Sequence, residues 1–254
     1  MTGDPERFAR LLVQRAPVLH SLAAANASKA ELADDLGVSR STVDRAVRDL
    51  ESVCAVERRD GTVTLTLVGR LALTAYDAFQ TDLHSLTGCD GLAHLDADTP
   101  VTLDVVRGAT TVTASAGAPH QPVSAFVDFV EDAVHVDLYA TMVLPTVVDA
   151  IARRIEDGLT VDAYLNGDAL DALLADHSET ATRVLDSSRV TVAETTADYR
   201  FDFARFDLAD GRQVTALAYG AHGVDELLVN DTADALAWAQ TRLDDLGDDA
   251  TVLT

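Results

Sequence analysis

The stretch LADDLGVSRSTVDRAVRDLES, residues 32–52, decides the fold of the N-terminal part of the chain. Leu32 and Leu36 lie about one helical turn apart, and Gly37 ends this pattern, as glycine commonly does just after a helix. Ser39 then stands where the N-cap of a second helix is expected. The inner face of that second helix is predicted to consist of Val43, Ala46, Val47 and Leu50. The pattern therefore predicts a helix, a glycine-containing turn and a second helix.

The opposite face of the second predicted helix is polar and basic. The guanidinium group of arginine carries a planar fork of donors that matches the two major-groove acceptors of guanine. Hydroxyl groups suit phosphates or either kind of base, and an aspartate can accept a hydrogen bond from N4 of cytosine. This face predicts contact with double-stranded DNA, although a basic helix can instead be a solvated surface. Its residues are Ser39, Arg40, Ser41, Thr42, Asp44, Arg45 and Arg48.

Two further patterns flank this pair of helices. Upstream, apolar residues recur at helical spacing over residues 6–25, where Pro17 predicts the start of a helix or a kink. Downstream, residues 55–59 and 62–67 are β-prone runs around Asp60-Gly61, which predicts a β hairpin, or wing. The wing residues predicted to approach phosphates or the minor groove are Arg58, Arg59 and Thr62.

The charge of the chain is strongly acidic and unevenly distributed. The formal net charge is -23, and Lys29 is the only lysine beside 18 arginines. Such a surface resembles that of proteins that work in molar salt, because hydrated carboxylates keep a chain soluble when other charges are screened. Residues 1–75 hold 10 basic and 10 acidic residues, so all of the net charge lies in the remainder. The predicted DNA-binding part would therefore suffer little overall repulsion from a polyanion.

The rest of the chain predicts a second domain. Apolar residues four apart predict a helix over residues 68–86, and a break follows at residues 87–91. Strand-like and helix-like patterns then alternate, which predicts a sheet covered on both faces. The acidic tail, residues 244–254, is short and is expected to fray. The predicted strands are residues 101–107, 110–115, 134–140, 160–165, 189–193, 199–208, 213–219 and 227–230, and the predicted helices are residues 124–133, 144–157, 168–185, with a break near His177, and 232–246.

The predicted fold class is α/β overall, with an N-terminal winged helix-turn-helix (α+β) followed by a C-terminal α/β sensor-like domain. Residues 1–70 are predicted to form the winged helix-turn-helix, residues 71–87 a connecting helix, and residues 88–254 an effector-binding and dimerisation domain. A dimer is expected because one recognition helix reads too few bases to find a site. Phe79 and Leu83 on the connecting helix mark one candidate dimer seam, and packing on the chain's own C-terminal domain is the equal alternative.

Two resemblances to known families support this organisation. Residues 28–73, SKAELADDLGVSRSTVDRAVRDLESVCAVERRDGTVTLTLVGRLAL, resemble the winged helix-turn-helix of archaeal and bacterial transcription regulators. The segments GATTVTAS, RFDFARFDLADGRQVTALAYG and DALAWAQTRL resemble haloarchaeal regulators that carry the middle domain named after a methanogenesis and filament regulator. The layout is also similar to that of the phospholipase-D-like sensor domains of sugar-responsive archaeal regulators. These resemblances imply that the C-terminal domain dimerises and binds a small effector.

The effector site is predicted from the geometry of open α/β sheets, in which ligands bind outside the carboxyl ends of strands. Helix N-termini there can hold a phosphate or carboxylate, helped by an arginine. The expected effector is a sugar, a sugar phosphate or another anionic metabolite. For each of these residues, a loop or capping role is the alternative. The predicted effector-binding residues are Arg107, Thr141, Asn166, Thr195, Arg200 and His222.

Several functional classes lack their motifs. Phospholipase-D chemistry needs a histidine followed two residues later by a lysine. The only lysine of the sequence, Lys29, lies in the predicted DNA-binding part, so this chemistry is excluded. No GxSxG, P-loop, GxGxxG or HExxH motif is present, so we expect no enzymatic activity, no cofactor and no metal. Cys54 and Cys89 are predicted to be idle thiols, with a redox pair as the alternative. The start, MTGDPERF, lacks the pattern of a signal peptide and no apolar run could span a bilayer, so a cytoplasmic protein without a membrane partner is expected.

The sequence thus predicts a sequence-specific, DNA-binding transcription regulator. It is expected to act as a homodimer on promoter DNA, with its activity modulated by a small metabolite. The alternative is a winged-helix module that binds proteins and does not bind DNA.

Overall fold

The computed structural model describes residues 4–176, 182, 184–221 and 223–253. It divides the chain into two compact units, Met1–Leu83 and His84–Thr254. In the described part of the chain, no helix is both long and apolar enough to cross a membrane. The part of the predicted helix 168–185 around His177 lies outside the described residues.

The N-terminal unit contains a helix, a turn, a helix and a β hairpin in the predicted order. Its strands form a three-stranded antiparallel sheet in the order β1-β3-β2. Its elements are α1 (Pro5–Ala24), β1 (Ala27–Ser28), α2 (Lys29–Leu36), α3 (Arg40–Ser52), β2 (Val56–Arg59), β3 (Thr62–Leu65) and α4 (Leu67–Thr87), whose last turn belongs to the second unit.

Local sequence signals explain where these helices begin and where the chain turns. Gly37 has φ 64°, a left-handed conformation that ends α2, and the Ser39 side chain accepts a hydrogen bond from the Thr42 backbone N–H at the start of α3. Asp60 and Gly61 also have positive φ, 51° and 82°, as a tight turn between two strands requires.

The sequence predicts either a helix start or a kink at Pro17, and the first of these alternatives is wrong. Pro17 lies inside helix α1, which continues on both sides of it. That helix begins instead at Pro5, where the missing N–H costs nothing, and Asp4 caps it by accepting from the Arg7 N–H at 3.1 Å.

The core of the N-terminal unit lies under α1, α2, α3 and the hairpin. The predicted inner face of α3 is buried, with Val43, Val47 and Leu50 fully covered. At the start of α4 the backbone passes very close to the loop between α3 and β2, and a Cβ placed on Gly69 would lie 2.0 Å from the carbonyl oxygen of Ala55. Only glycine permits this approach.

The C-terminal unit is built on a mixed sheet with the strand order β11-β7-β6-β5-β8-β9-β10-β4 in the described residues. Strands β5, β6 and β7 are parallel to one another, and the other neighbouring pairs are antiparallel. Its elements are α5 (Leu103–Val106), β4 (Thr110–Thr113), α6 (Gln121–Asp132), β5 (Ala133–Ala140), α7 (Pro145–Glu156), β6 (Thr160–Leu165), α8 (Gly167–Asp176), β7 (Val190–Glu194), β8 (Asp202–Leu208), β9 (Gln213–Tyr219), β10 (Glu226–Asn230), α9 (Ala233–Asp249) and β11 (Thr251–Val252).

Both faces of this sheet are covered, as predicted. On one face, Val136, Ala204 and Phe206 pack with residues of α6, α7 and α8. On the other face, Phe203 and Trp238 belong to an aromatic cluster under α5 and α9, with ring centroids 5.4 Å apart. The sheet therefore has two separate cores.

Two predictions for this unit are wrong. The predicted strand 101–107 contains the short helix α5, and the Asn230 side-chain amide donates to the carbonyl oxygens of Val105 and Arg107 at 2.8 and 2.9 Å. These bonds satisfy carbonyl groups that a short helix leaves unpaired. The tail does not fray at Thr251–Val252, because this segment pairs with the exposed edge of β7 as β11.

Candidate nucleic-acid interface and apolar cavity

The outer face of α3 presents its predicted polar side chains to solvent. Arg40, Arg45 and Arg48 are exposed, as are Ser41 and Thr42. Within the described residues, no ion pair neutralises Arg40 or Arg45. The Arg48 guanidinium donates from Nε to the carbonyl oxygen of its own helix at residue 44, at 3.1 Å. The face therefore offers guanidinium groups with free donors.

Hydroxyl groups cluster at the first turn of α3. The Ser39 Oγ lies 2.9 Å from the hydroxyl oxygens of both Ser41 and Thr42. These groups stand at the N-terminus of a 13-residue helix, where the backbone dipole favours an anion. The arrangement can hold a phosphate oxygen beside the arginines.

Asp44 is the acidic residue on this face, and it is already paired. Its carboxylate accepts a hydrogen bond from Nζ of Lys29, at the start of α2. This contact lowers the pKa of Asp44 below its ordinary value. The negative charge at the centre of the basic face is therefore compensated within the protein.

The wing arginines are also paired, which the sequence did not predict. Arg58 donates from Nε to Glu51 Oε1 at 2.7 Å and from its second nitrogen to Oε2, and this pair lowers the pKa of the Glu51 carboxyl. Arg59 donates to Glu57 at 3.0 Å. Thr62 lies opposite Arg59 in the hairpin and is partly buried. The charges of the two wing arginines are therefore compensated. Those of Arg40 and Arg45 on α3 have no such partner among the described residues.

Three of the predicted effector residues follow neighbouring strands at one edge of the C-terminal sheet. Thr141, Asn166 and Thr195 come directly after β5, β6 and β7. Asn166 Oδ1 accepts from the Ala169 N–H at 2.9 Å, and Thr195 Oγ1 accepts from the Ala197 N–H at 3.2 Å. These two polar side chains therefore have local structural roles.

The other three predicted effector residues do not join them in one site. Arg200 is exposed, and its Nε lies 3.0 Å from a carboxylate oxygen of Asp96. Arg107 precedes β4, whose first residue, Thr110, pairs with Val229 at the opposite edge of the sheet from Thr141. His222 lies outside the described residues.

The C-terminal unit contains an apolar cavity that the sequence did not predict. It has a volume of about 120 Å³ and lies between the sheet and helices α6 and α7. Its walls include Phe126, Leu138, Val148, Ile151 and Leu165. A cavity of this kind favours an apolar ligand.

Asp202, at the first position of β8, lines the same cavity. Its Oδ1 accepts two hydrogen bonds from Thr141, one from the backbone N–H and one from the hydroxyl, both 2.7 Å long. Burial in apolar surroundings raises the pKa of the Asp202 carboxyl to about 6. One sequence signal pointed to this residue, since Asp202 is a charged residue between Phe201 and Phe203, which are both buried.

A second polar cluster lies on the other face of the sheet. His135 Nε2 is 3.0 Å from Asp137 and 3.8 Å from Asp162, so the three side chains could together ligate a metal ion. The hydrogen bond to Asp137 raises the pKa of His135. Arg205, 3.5 Å from the second oxygen of Asp137, already supplies positive charge there.

Comparisons with known proteins bear on both units. Residues 4–85 match the family described as the HVO_A0261 N-terminal domain. Among solved structures, TrmBL2, described as an archaeal chromatin protein, is 12% identical, with a TM-score of 0.41 over 97% of this chain and 99% of that chain. The phospholipase D family member NUC from Salmonella typhimurium is 8% identical, with a TM-score of 0.43 over 57% of this chain and 98% of that chain. Structural similarity at this level carries no argument about function, and no curated protein sequence matches the chain.

The C-terminal unit gives the decisive match. Residues 119–249, just over half of the chain, match the family described as the middle domain of the methanogenesis regulatory protein FilR1. The matched segment runs from the start of α6 to the end of α9 and includes Asp202 and all the other described residues that line the cavity. The chain therefore belongs to the family of proteins that carry the FilR1 middle domain.

Proposed function

We propose that the protein is a sequence-specific transcription regulator that binds promoter DNA through α3. The observation that carries the proposal is the exposed face of α3, a helix that Ser39 caps, where Arg40 and Arg45 form no ion pair with any described residue. The family membership supports a regulatory role, since its defining protein is named as a regulator. The proposed protein is a haloarchaeal regulator with a winged helix-turn-helix, working in the cytoplasm at high salt.

In the proposed complex, α3 enters the major groove. Arg40 and Arg45 donate to guanine O6 and N7 or to phosphates, and the hydroxyl cluster of Ser39, Ser41 and Thr42 holds a phosphate at the helix N-terminus. The wing contributes less, because Arg58 must exchange its bonds to Glu51 for bonds to DNA. Specificity then arises mainly from α3.

We further propose that the protein acts as a homodimer. A two-fold protein places two recognition helices on a palindromic site about one helical turn apart. The exposed apolar side chains of α4 support this proposal, since Leu71, Phe79 and Leu83 are 62%, 52% and 43% exposed. A second copy of α4 would cover them.

The C-terminal unit is proposed to modulate DNA binding by taking up a small molecule, without catalysing a reaction. Such a molecule can shift the regulator only if it has different affinities for the DNA-binding and the non-binding state. The cavity beside Asp202 is the better supported location, because the residues predicted for an anionic metabolite do not converge.

In vitro selection from random DNA with the purified full chain tests this function. The expected result is one enriched inverted repeat, bound at high salt and more tightly as the salt concentration falls. Chromatin immunoprecipitation under native salt should then find the same repeat at promoters. If no sequence were enriched, the proposal would fail, and the protein-binding alternative would replace it.

A further inference from the structure

The cavity of the C-terminal unit combines an apolar wall with a single negative charge. Among the described residues that line it, Asp202 is the only one with a charged side chain. Phe126 from α6, Val148 and Ile151 from α7, and Leu138 from β5 supply hydrocarbon surface around it. The carboxylate would repel a ligand with an anionic group, because no lysine, arginine or histidine is among the described residues that line the cavity.

The carboxylate of Asp202 is only partly satisfied by the protein. Both hydrogen bonds from Thr141 go to Oδ1, and no described residue donates a hydrogen bond to Oδ2. No lysine or arginine among the described residues forms an ion pair with Asp202. A carboxylate can accept about four hydrogen bonds, so these two leave room for about two more. Oδ2 is therefore open to a donor from a ligand.

The energetic state of Asp202 favours a positively charged partner. Its raised pKa reports that the ionised form is disfavoured by its apolar surroundings. A cation placed next to a desolvated carboxylate recovers part of this cost, and the attraction is stronger than in water because the local dielectric constant is low. The remainder of such a ligand must be apolar, since the walls offer hydrocarbon contacts.

The volume of the cavity limits the size of the ligand. A cavity of roughly 150 Å³ lined by aliphatic and aromatic side chains holds a benzene molecule. The cavity next to Asp202, at about 120 Å³, is of similar size. It therefore fits a ring or a chain of about six carbon atoms.

We propose that this cavity is a binding site for a small primary amine with an apolar body, whose ammonium group donates a hydrogen bond to Oδ2 of Asp202. The body of the amine lies against α6 and α7. The inference rests on the proposed function for its purpose, since the amine would be the small molecule that modulates DNA binding. Binding itself is measured without DNA.

The test uses the purified full chain and calorimetric titration at pH 7.5 with three amines: benzylamine, cyclohexylamine and pentylamine. Benzyl alcohol and benzoate are the neutral and anionic controls of matched shape. At least one amine is expected to bind, at least about tenfold more tightly than benzyl alcohol, and benzoate is expected not to bind. Absence of binding by all three amines, or equal binding by benzyl alcohol or benzoate, overturns the inference.

Variants locate the binding site. Asp202→Asn keeps the shape of the side chain and should weaken the best amine at least about tenfold. The matched control is Asp149→Asn, which removes one negative charge from an exposed position on α7 and should leave the affinity unchanged. Should Asp202→Asn fail to fold, Val148→Phe fills the cavity while keeping the carboxylate, and it should also abolish binding. Undiminished affinity in a folded variant of either kind contradicts the inference.

The outcome separates this inference from the proposed function. The affinity of the wild-type chain for its selected DNA is measured without amine. If DNA binds and no amine does, the cavity proposal fails and the regulator stands. If amines bind at Asp202 and no DNA sequence is selected, the regulator fails and the binding site stands.

Discussion

Replacing Asp202 by Asn should stabilise the C-terminal unit, and the gain should grow with pH. Asn retains an Oδ1 that can accept both hydrogen bonds from Thr141, so the change removes the charge and keeps these contacts. The pKa of Asp202 is about 6 in the folded protein, against an ordinary value of 3.8. Because the folded-state pKa is raised, the neutral carboxyl contributes stability that is fully present below pH 3.8 and is lost as the pH rises through 6.

The magnitude follows from these two pKa values. Relative to a side chain that cannot ionise, Asp202 lowers the free energy of unfolding by about 1.6 kcal/mol at pH 5 and by about 3 kcal/mol at pH 8, because the carboxyl ionises more readily in the unfolded chain. Asn cannot ionise, so the advantage of Asp202→Asn should increase by about 1.4 kcal/mol between these two conditions. This increment does not depend on how well the amide packs in the cavity.

Chemical denaturation followed by tryptophan fluorescence measures the free energy of unfolding of the C-terminal unit. Trp238 is the only tryptophan of the sequence and lies in the aromatic core of the C-terminal unit. The wild type, Asp202→Asn and the exposed control Asp149→Asn are compared at pH 5 and pH 8 at one high salt concentration. A pH-independent difference between Asp202→Asn and the wild type would refute the assignment of a desolvated carboxylate.

Three further changes should affect stability for different physical reasons. Gly69→Ala should destabilise the N-terminal unit by about 2 kcal/mol or more in thermal melts, because the new Cβ meets the Ala55 carbonyl oxygen. Ser39→Ala should cost about 1 kcal/mol, measured as faster amide hydrogen exchange in α3, since the helix loses its N-cap. His135→Gln should cost more stability at pH 6 than at pH 9 in denaturant titrations, because Asp137 raises the folded-state pKa of His135 and the resulting stabilisation fades as the pH rises.

The helices of the N-terminal unit were predictable because their signals are local. Ser39, Gly37 and the apolar spacing of α3 lie within one short stretch, and each acts through the backbone next to it. The residues around Val105 failed for the opposite reason. Their β-branched side chains favour a strand, whereas the hydrogen bonds from Asn230, distant in sequence, stabilise a helical turn.

The candidate sites were predictable only in part. The exposed arginines of α3 follow from helical periodicity, but the pairing of Arg58 with Glu51 depends on how the hairpin lies against α3. The cavity is formed by elements that are far apart in the chain, and the hydrogen bonds from Thr141 to the Asp202 carboxylate join residues that are 61 positions apart in the sequence. Sequence patterns do not reveal the space that separated elements enclose.

The most direct test of the central claim is the affinity of Arg40→Ala/Arg45→Ala for the selected DNA repeat, measured by fluorescence anisotropy at constant high salt. Because neither side chain forms an ion pair within the described residues, the melting temperature should not change. The affinity should fall at least about 30-fold if each arginine contributes one base contact. The control variant, Arg153→Ala/Arg212→Ala, removes the same charge from exposed positions of the C-terminal unit and should bind normally. An α3 variant that binds the repeat as tightly as this control would contradict the account.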